Sequence, residues 1–183
     1  MAAKSTLKNM ALCLTAVCLV CSAILAGIYA VTADPIAEAA QKALTESISK
    51  VLPEGGELSD AQTIDAEGVE EYYVLSENDA PVAYAVKSST NGFGGTLTIM
   101  VGVLPDGTVH NTSVLSHSET PGLGAKCADD ESAFRTQFQG FTGNLKVSKD
   151  GGDIDAITAS TITSRAFTLC VKQAVDAVNS LNK

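Results

Sequence analysis

The feature that most constrains this chain is a long stretch without a charged side chain, which covers residues 10–33. An α-helix needs about 20 residues to cross the hydrocarbon core of a bilayer, so the stretch is long enough for a transmembrane helix. Lys4 and Lys8 precede it, whereas Asp34 and Glu38 follow it. Because basic residues favour the cytoplasmic side, the chain is predicted to begin in the cytoplasm and to continue outside it.

The same stretch has a second interpretation as a cleaved signal peptide, because residues 31–33 offer small side chains where a signal peptidase could cut. The apolar part of a signal peptide usually has about 7 to 15 residues, whereas this stretch is longer and contains no helix breaker. Retention as an anchor is therefore favoured. The prediction is a single-pass protein of the inner (cytoplasmic) membrane.

The part of the chain that follows this stretch is strongly acidic. Setting Lys4 and Lys8 aside leaves 10 basic against 21 acidic residues, a formal charge of −11. A phosphate backbone would need a concentrated basic face, so the charge argues against nucleic acid as a partner and against anionic partners in general.

The pattern of the remaining sequence predicts one small α+β domain behind the transmembrane helix, built as an antiparallel sheet with flanking helices. Asp34 and Pro35 are typical of a helix start, and Leu52 and Pro53 of a helix end. Residues 1–33 are thus assigned to the cytoplasmic N-terminus and anchor, 34–70 to a helix and connector, and 71–183 to the extracytoplasmic domain. Strands are expected at 71–76, 82–88, 96–104 and 108–115, a short helix at 129–138, a short strand at 145–147 and a closing helix at 160–181.

Hydroxyl side chains cluster at the expected start of the closing helix, at Thr158, Ser160, Thr161, Thr163 and Ser164. Unpaired N–H groups and the helix dipole favour an anion such as a phosphate at this place. Ordinary N-capping by Ser160 or Thr158 would explain the same hydroxyls. The cluster alone therefore leaves both interpretations open.

A second segment, residues 117–126, follows directly on an expected strand and contains Pro121, Gly122 and Gly124. Such a loop can bring backbone amides close to a ligand. Taken alone it is also compatible with an ordinary surface turn, and His117 with an ordinary loop histidine.

The cysteines limit the redox chemistry of the domain. Cys13, Cys18 and Cys21 lie in the apolar stretch, so only Cys127 and Cys170 belong to the exported part. An iron–sulfur cluster needs four ligands and is not expected from this domain alone. Either a disulfide between the two cysteines or two buried free thiols would suit the sequence.

In this order behind one apolar stretch, the two segments resemble the FMN-binding domain found in the G subunits of Rnf-type ion-translocating electron transport complexes. That domain is related to the one in the C subunits of sodium-pumping NADH:quinone reductases. The likeness covers residues 92–96, 101–103, 106–107, 119–124 and 155–164. Family members carry the motif Asp-x-x-Ser/Thr-Gly-Ala-Thr, whose last threonine bears FMN through a phosphoester. The matching residues here are Asp155, Thr158, Ala159, Ser160 and Thr161.

The motif departs from the family pattern at two positions, with Ala159 in place of the usual glycine and Ser160 in place of the usual alanine. Alanine is tolerated where φ is negative, and serine adds only a hydroxyl, so the modification site is expected to be kept.

The resemblance implies a membrane-anchored protein that relays electrons through covalent FMN on Thr161 in an Rnf-type ferredoxin:NAD oxidoreductase. It also implies partners, namely the other membrane subunits of the complex and a flavin transferase that uses FAD and a metal ion. The residues implied to line the flavin ring are Glu119, Thr120, Gly122 and Leu123. The phosphate is implied to face amides near Ile162 and Thr163, beside Thr158 and Ser160.

Two other functions stay open on the sequence. One is a stand-alone flavinylated electron carrier outside the cytoplasm, and the other is an unflavinylated structural subunit in which Ala159 and Ser160 prevent modification. With two histidines and no nucleotide-binding glycine fingerprint after a strand, the sequence offers no catalytic residue set and no metal site of its own. An electron-transfer subunit is expected rather than a self-sufficient enzyme.

Overall fold

The computed structural model of the protein describes residues 6–78 and 80–182, so Lys4 lies outside the described residues. The chain divides into two compact units, Met1–Ala43 and Leu44–Lys183. The helices are α1 (Leu7–Val51), α2 (Ala133–Thr136) and α3 (Thr161–Leu181), with 3₁₀ turns at Gly124–Ala128 and Ser148–Asp150. The strands are β1 (Glu57–Leu58), β2 (Val69–Glu77), β3 (Ala80–Asn91), β4 (Thr96–Val103) and β5 (Val109–Ser116).

Helix α1, most of which belongs to the first unit, is long and apolar enough to cross a membrane. Its large apolar side chains are exposed, among them Leu12, Leu19, Leu25 and Tyr29. A continuous apolar surface of this kind needs a non-aqueous environment. By length and composition, α1 is therefore a candidate transmembrane helix.

The predicted helix start at Asp34 and Pro35 is wrong, because α1 runs through Pro35 without a break. An internal proline removes one N–H donor and crowds one carbonyl, and the alanine-rich residues 37–43 on its C-terminal side favour the helix. The predicted end before Pro53 is confirmed, since the helix ends at Val51.

The second unit is built on a five-stranded antiparallel sheet in which every strand pairs with its sequence neighbour, in the order β1 to β5. The four predicted strands are confirmed. The two-residue β1 adds an edge strand in the segment predicted as a connector and is too short to carry a periodic signal. In the sequence, Pro105, Asp106 and Gly107 predict a turn between β4 and β5. The structure has this turn, with the Thr108 N–H donating to Asp106 Oδ1 at 2.9 Å and Gly107 at a φ of +85°.

Side chains on both faces of β4 are buried, which explains why the sequence of this strand is almost continuously apolar. Leu97, Ile99 and Val101 contribute to the core that includes α3, whereas Met100 packs with Val51 at the end of α1. A Cβ on Gly102 would collide with the Val51 carbonyl. The sheet is thus covered on one face by α3 and on the other by the last turns of α1.

Two short elements differ from the predictions. The helix predicted at 129–138 is only α2, because Ser132 caps it by accepting a hydrogen bond from the Arg135 N–H at 3.3 Å. Arg135 is itself buried and donates to Thr112 Oγ1 at 3.0 Å and to the Cys127 carbonyl at 3.4 Å. The strand predicted at 145–147 is a single bridge between Val147 and Ile154.

The closing helix is confirmed as α3, and its first residue is Thr161. In the sequence, the apolar residues of the closing helix recur at helical spacing, which predicts an inward face made of Ala166, Leu169, Cys170, Ala174, Val178 and Leu181. Ala166, Cys170, Ala174 and Val178 are buried. Leu169 and Leu181 are exposed, because the buried stripe of α3 is narrower than the full set of its apolar residues.

Candidate functional site

A cavity of about 360 Å³ lies at the N-terminal end of α3. It is lined by Phe93 from the β3–β4 loop, by part of the loop that follows β5, and by residues 159–163. Because neighbouring strands are antiparallel, the C-terminal ends of β3 and β5 lie at the same end of the sheet, on either side of the start of β4. The cavity therefore forms where three segments that are distant in sequence meet.

Most of the residues that the sequence pointed to line this one cavity: Glu119, Thr120, Leu123, Ser160, Thr161, Ile162 and Thr163. Gly122 is not among the residues that line it, and Thr158 lines a neighbouring cavity together with Lys126 and Asp155. Phe93 was not among the predicted site residues. Its position between Gly92 and Gly94, in a segment that the resemblance covers, was the signal that could have pointed to it.

Glu119 joins two walls of the cavity. Its carboxylate is buried, with only 5% of the residue exposed. One oxygen, Oε1, accepts hydrogen bonds from the Phe93 N–H at 2.8 Å and from the Gly94 N–H at 3.3 Å. The other, Oε2, accepts from the Thr163 hydroxyl at 2.7 Å. A buried charge needs such donors, and here they tie the β3–β4 loop to the first turn of α3.

Glycines make room for this carboxylate. A Cβ on Gly124 would lie 2.6 Å from Glu119 Oε2 and 2.7 Å from Thr163 Oγ1, and a Cβ on Gly92 would collide with Glu119 Oε1. Both approaches are closer than carbon and oxygen tolerate. Gly124, one of the two glycines that suggested a ligand-binding loop, is thus required first by the protein's own packing around Glu119.

Within the part of the chain that the structure describes, the first N–H groups of α3 have no acceptor. The first main-chain hydrogen bond of the helix runs from the Ser164 N–H to the Ser160 carbonyl at 3.0 Å. Ser160 is the N-cap residue, and its side chain makes no capping hydrogen bond within the described residues. Simple capping by Ser160 is therefore not the role of this hydroxyl. The first N–H groups of α3 are left for an external acceptor.

The turn before α3 is shaped by Ser164. Its hydroxyl donates to the Ser160 carbonyl at 2.9 Å and accepts from the Ile157 N–H at 2.9 Å. These two bonds fold residues 157–160 back onto the first turn of the helix. The side-chain amide of Gln137 holds the strand-like residue before the turn, because it bonds both the N–H and the carbonyl of Asp155, at 2.7 and 3.1 Å.

Ala159 has a φ of +63°, in the left-handed region that favours glycine. The expectation that φ would be negative at this residue is wrong. The tight turn requires the conformation, and the methyl group of alanine makes it unfavourable by about 1–2 kcal/mol. The glycine that the family pattern has at this position is thereby explained.

Thr161 lies half-buried on the cavity wall. Its Oγ1 accepts a hydrogen bond from Lys149 Nζ at 3.2 Å. The hydroxyl thus stands beside the free N–H groups of α3 and a positively charged side chain, both of which favour an anion.

Cys127 and Cys170 are both buried free thiols, so the disulfide considered from the sequence does not form. Burial raises the pKa of Cys127 to about 11, the Glu119 charge adds to that effect, and burial raises the pKa of Cys170 to about 12. Both thiols are protonated at neutral pH and are poor nucleophiles. The described residues contain no group of side chains that could hold a metal ion.

Comparison with known proteins adds family information. Residues 92–176 match the FMN-binding domain family, and residues 1–51 match the RnfG N-terminal region. The chain is 36% identical to the G subunit of the proton-translocating ferredoxin:NAD(+) oxidoreductase complex of Clostridium ljungdahlii, over 91% of this chain and 89% of that protein. It is also 36% identical to the G subunit of an ion-translocating oxidoreductase complex of Vibrio atlanticus, over 83% and 80% of the two chains.

Among solved structures, the crystal structure of NqrC of Shewanella oneidensis is similar to this chain with a TM-score of 0.47 and 16% sequence identity. That likeness covers 66% of this chain and 69% of the other.

Proposed function

The chain belongs to the family formed by the G subunits of ion-translocating oxidoreductase complexes and contains an FMN-binding domain, and from this premise we propose that it relays electrons through FMN within an Rnf-type ferredoxin:NAD oxidoreductase. The observation that carries the proposal is the cavity at the start of α3. The other membrane subunits of that complex would be its partners, and the chain would act as an electron-transfer subunit rather than as an enzyme by itself.

The cavity suits the two ends of FMN. Phe93, Leu123 and Ile162 are exposed apolar side chains on its wall, where a flat aromatic ring could cover them. The free N–H groups of α3 suit a phosphate. A volume of about 360 Å³ lies within the range of ligand pockets. When bound, FMN supplies one- and two-electron redox chemistry, and the protein orients the ring and sets its electrostatic surroundings.

We further propose that Thr161 holds FMN through a phosphoester. The Thr161 hydroxyl would attack the FMN phosphorus of FAD on a flavin transferase. A bond would form between Oγ1 and phosphorus, the pyrophosphate P–O bond would break, AMP would leave and the hydroxyl proton would be released. Support comes from the Asp155 to Thr161 motif and from the position of Thr161 on the first turn of α3. A tether of this kind keeps the cofactor on the protein outside the cytoplasm.

The proposal includes an orientation. Residues 34–70 would lead from the membrane to an extracytoplasmic FMN-binding domain at 71–183, on the side opposite Lys8, in the inner membrane. N-terminal sequencing of the mature protein tests retention of the anchor. A mature chain that starts at Asp34 would mean that the apolar stretch is a signal peptide.

A second candidate function, an unflavinylated structural subunit, is favoured by one observation, the positive φ of Ala159 beside the attachment site. A stand-alone flavinylated carrier is less well supported, because residues 1–51 match a region named for a component of the complex.

The test of the proposal is co-expression with a flavin transferase, denaturation, and mass spectrometry of the proteolytic peptides. FMN is expected on the peptide with Thr161, to be absent after Thr161→Ala, and to be retained after Thr142→Ala, a matched change at an exposed threonine outside the motif. Covalent flavin in Thr161→Ala would place the linkage on a neighbouring hydroxyl. A folded wild-type chain without flavin would support the structural alternative.

A further inference from the structure

Lys149 is the basic residue that contacts the proposed attachment hydroxyl, through the 3.2 Å hydrogen bond from Nζ to Thr161 Oγ1. It comes from the 3₁₀ turn at Ser148–Asp150, which is twelve residues away in sequence and was not among the predicted site residues. Its side chain is exposed, so packing alone does not explain why it points to Thr161.

The turn that carries Lys149 is fixed to α3 by the next residue. Asp150 forms a two-pronged ion pair with Arg165, with Oδ2 2.7 Å from Nε and Oδ1 2.7 Å from the terminal nitrogen. Arg165 lies one helical turn after Thr161, and its guanidinium lowers the pKa of the Asp150 carboxyl. The ion pair is therefore present at neutral pH, and a bidentate geometry defines orientation as well as distance.

Glycines close the same turn from its other end. Gly151 has a φ of +81°, and a Cβ on Gly152 would collide with the Lys146 carbonyl. The Lys146 carbonyl accepts from the Ile154 N–H at 3.1 Å. The backbone on both sides of Lys149 is thus held, which fixes the position from which its side chain extends.

The negative charge near the N-terminus of α3 explains why a cation is needed beside Thr161. The buried Glu119 carboxylate already occupies the first turn of α3 through Thr163, so the positive end of the helix dipole faces one negative charge. A phosphoester on Thr161 would place a second negative charge in the same turn, in a chain with a net charge of −9. Without a nearby cation the two like charges would repel each other.

We propose that Lys149 is a positioning residue for flavinylation, whose ammonium group holds the Thr161 hydroxyl before transfer and neutralises the phosphate afterwards. This inference rests on the proposed function of Thr161. The Asp150–Arg165 pair sets the position of Lys149. The Glu119 carboxylate already uses part of the positive potential at the N-terminus of α3. Lys149 supplies a further positive charge for the phosphate.

The test is the rate of covalent FMN transfer to the full-length chain in detergent, with FAD and a purified flavin transferase. Lys149→Ala is expected to slow the transfer roughly three- to tenfold, an estimate for an exposed charge-assisted hydrogen bond. Lys149→Arg should restore most of the rate. Lys146→Ala is the control, because it removes the same charge from the same segment. The Lys146 side chain has no hydrogen bond to Thr161 among the described contacts, so this variant should leave the rate unchanged.

A second measurement separates this role from a structural one. The phosphorus NMR signal of the loaded chain should shift in Lys149→Ala and not in Lys146→Ala, and thermal unfolding of the unloaded chains should be the same for both. Equal slowing by the two alanine variants, or a Lys149→Ala chain with the wild-type rate and signal, would overturn the inference. A wild-type chain that accepts no FMN under the same conditions would overturn the proposed function as well, which distinguishes the two failures.

Discussion

The two sides of the cavity are held in different ways. On the Glu119 side, a buried carboxylate receives three hydrogen bonds, and glycines fit closely around it. On the Thr161 side, the hydroxyl is half-buried, the N-cap side chain makes no capping bond within the described residues, and Ala159 has an unfavourable backbone conformation. On the Glu119 side, the carboxylate is hydrogen-bonded within the protein. On the Thr161 side, the first N–H groups of α3 have no acceptor among the described residues.

Under the proposed function, the Glu119 side is the scaffold and the Thr161 side is the part that a flavin transferase would modify. A side whose polar groups are all paired can hold its shape before any cofactor arrives. A side that a second protein must modify needs an accessible hydroxyl and unpaired donors, and those features are unfavourable for stability. The following predictions test this division, from the largest expected effect to the smallest.

Glu119→Ala should produce the largest loss. It removes the acceptor of the Phe93 N–H, the Gly94 N–H and the Thr163 hydroxyl, and it is expected to reduce the free energy of unfolding by about 2–4 kcal/mol. Urea unfolding of the detergent-solubilised chain, followed by circular dichroism, measures it. Asp155→Ala removes an exposed carboxylate that lines the neighbouring cavity and serves as the control, with a change within about 0.5 kcal/mol. Equal effects of the two would mean that Glu119 does not join the walls.

The titration of the buried Cys127 thiol tests whether water is excluded from the Glu119 side of the cavity. Its pKa is raised by burial and by Glu119 to about 11 from an ordinary value of 9.0. Between these two values the unfolded chain loses the proton and the folded chain keeps it, so stability falls as the pH rises. The difference in unfolding free energy between wild type and Cys127→Ala should shrink by about 1 kcal/mol from pH 7 to pH 10. A constant difference would mean that water reaches the thiol.

Ala159→Gly should act on the other side and in the opposite direction. Glycine adopts a positive φ freely, so the variant is expected to be more stable by up to about 1 kcal/mol. Ala156→Gly is the matched control in the same segment. It should lower stability, because Ala156 is not among the residues with positive φ and glycine adds freedom to the unfolded chain. A lower stability for both variants would show that the turn is not strained.

The periodic parts of the sequence were sufficient to predict the scaffold. Strands β2 to β5 and helix α3 bury their apolar residues in patterns that the sequence displays directly. The boundary at Pro35 was wrong because proline signals a helix start in isolation, whereas the residues on both sides of it favour one helix. Short elements such as α2 and the Val147–Ile154 bridge depend on single hydrogen bonds and tertiary contacts, which leave no period.

The site was predicted less completely, and for a different reason. The motifs located the segments, but Lys149 reaches Thr161 from a 3₁₀ turn whose neighbouring residue Asp150 pairs with Arg165. The paired oxygens of Glu119 likewise follow from three separate segments meeting in space. The φ of Ala159 could not be read from its neighbours, since the turn is set by Ser164. Contacts of this kind are determined by the fold rather than by local sequence.

The smallest expected effect separates the shape of the Glu119 side from its charge. In Glu119→Gln, the amide oxygen can still accept from the Phe93 and Gly94 N–H groups, and the amide N–H can donate to Thr163 Oγ1. Stability should therefore fall by less than about 1 kcal/mol, in contrast to Glu119→Ala.

The negative charge beside the cavity is lost in Glu119→Gln, and a carboxylate opposes formation of an anionic reduced flavin. The midpoint potential of the loaded flavin is expected to rise by on the order of 20–40 mV, as measured by spectroelectrochemical titration. Glu131→Gln, which neutralises an exposed carboxylate outside the motif, should change it less. An unchanged potential in a stable, loaded Glu119→Gln chain would mean that Glu119 acts on the flavin only through the shape of the cavity.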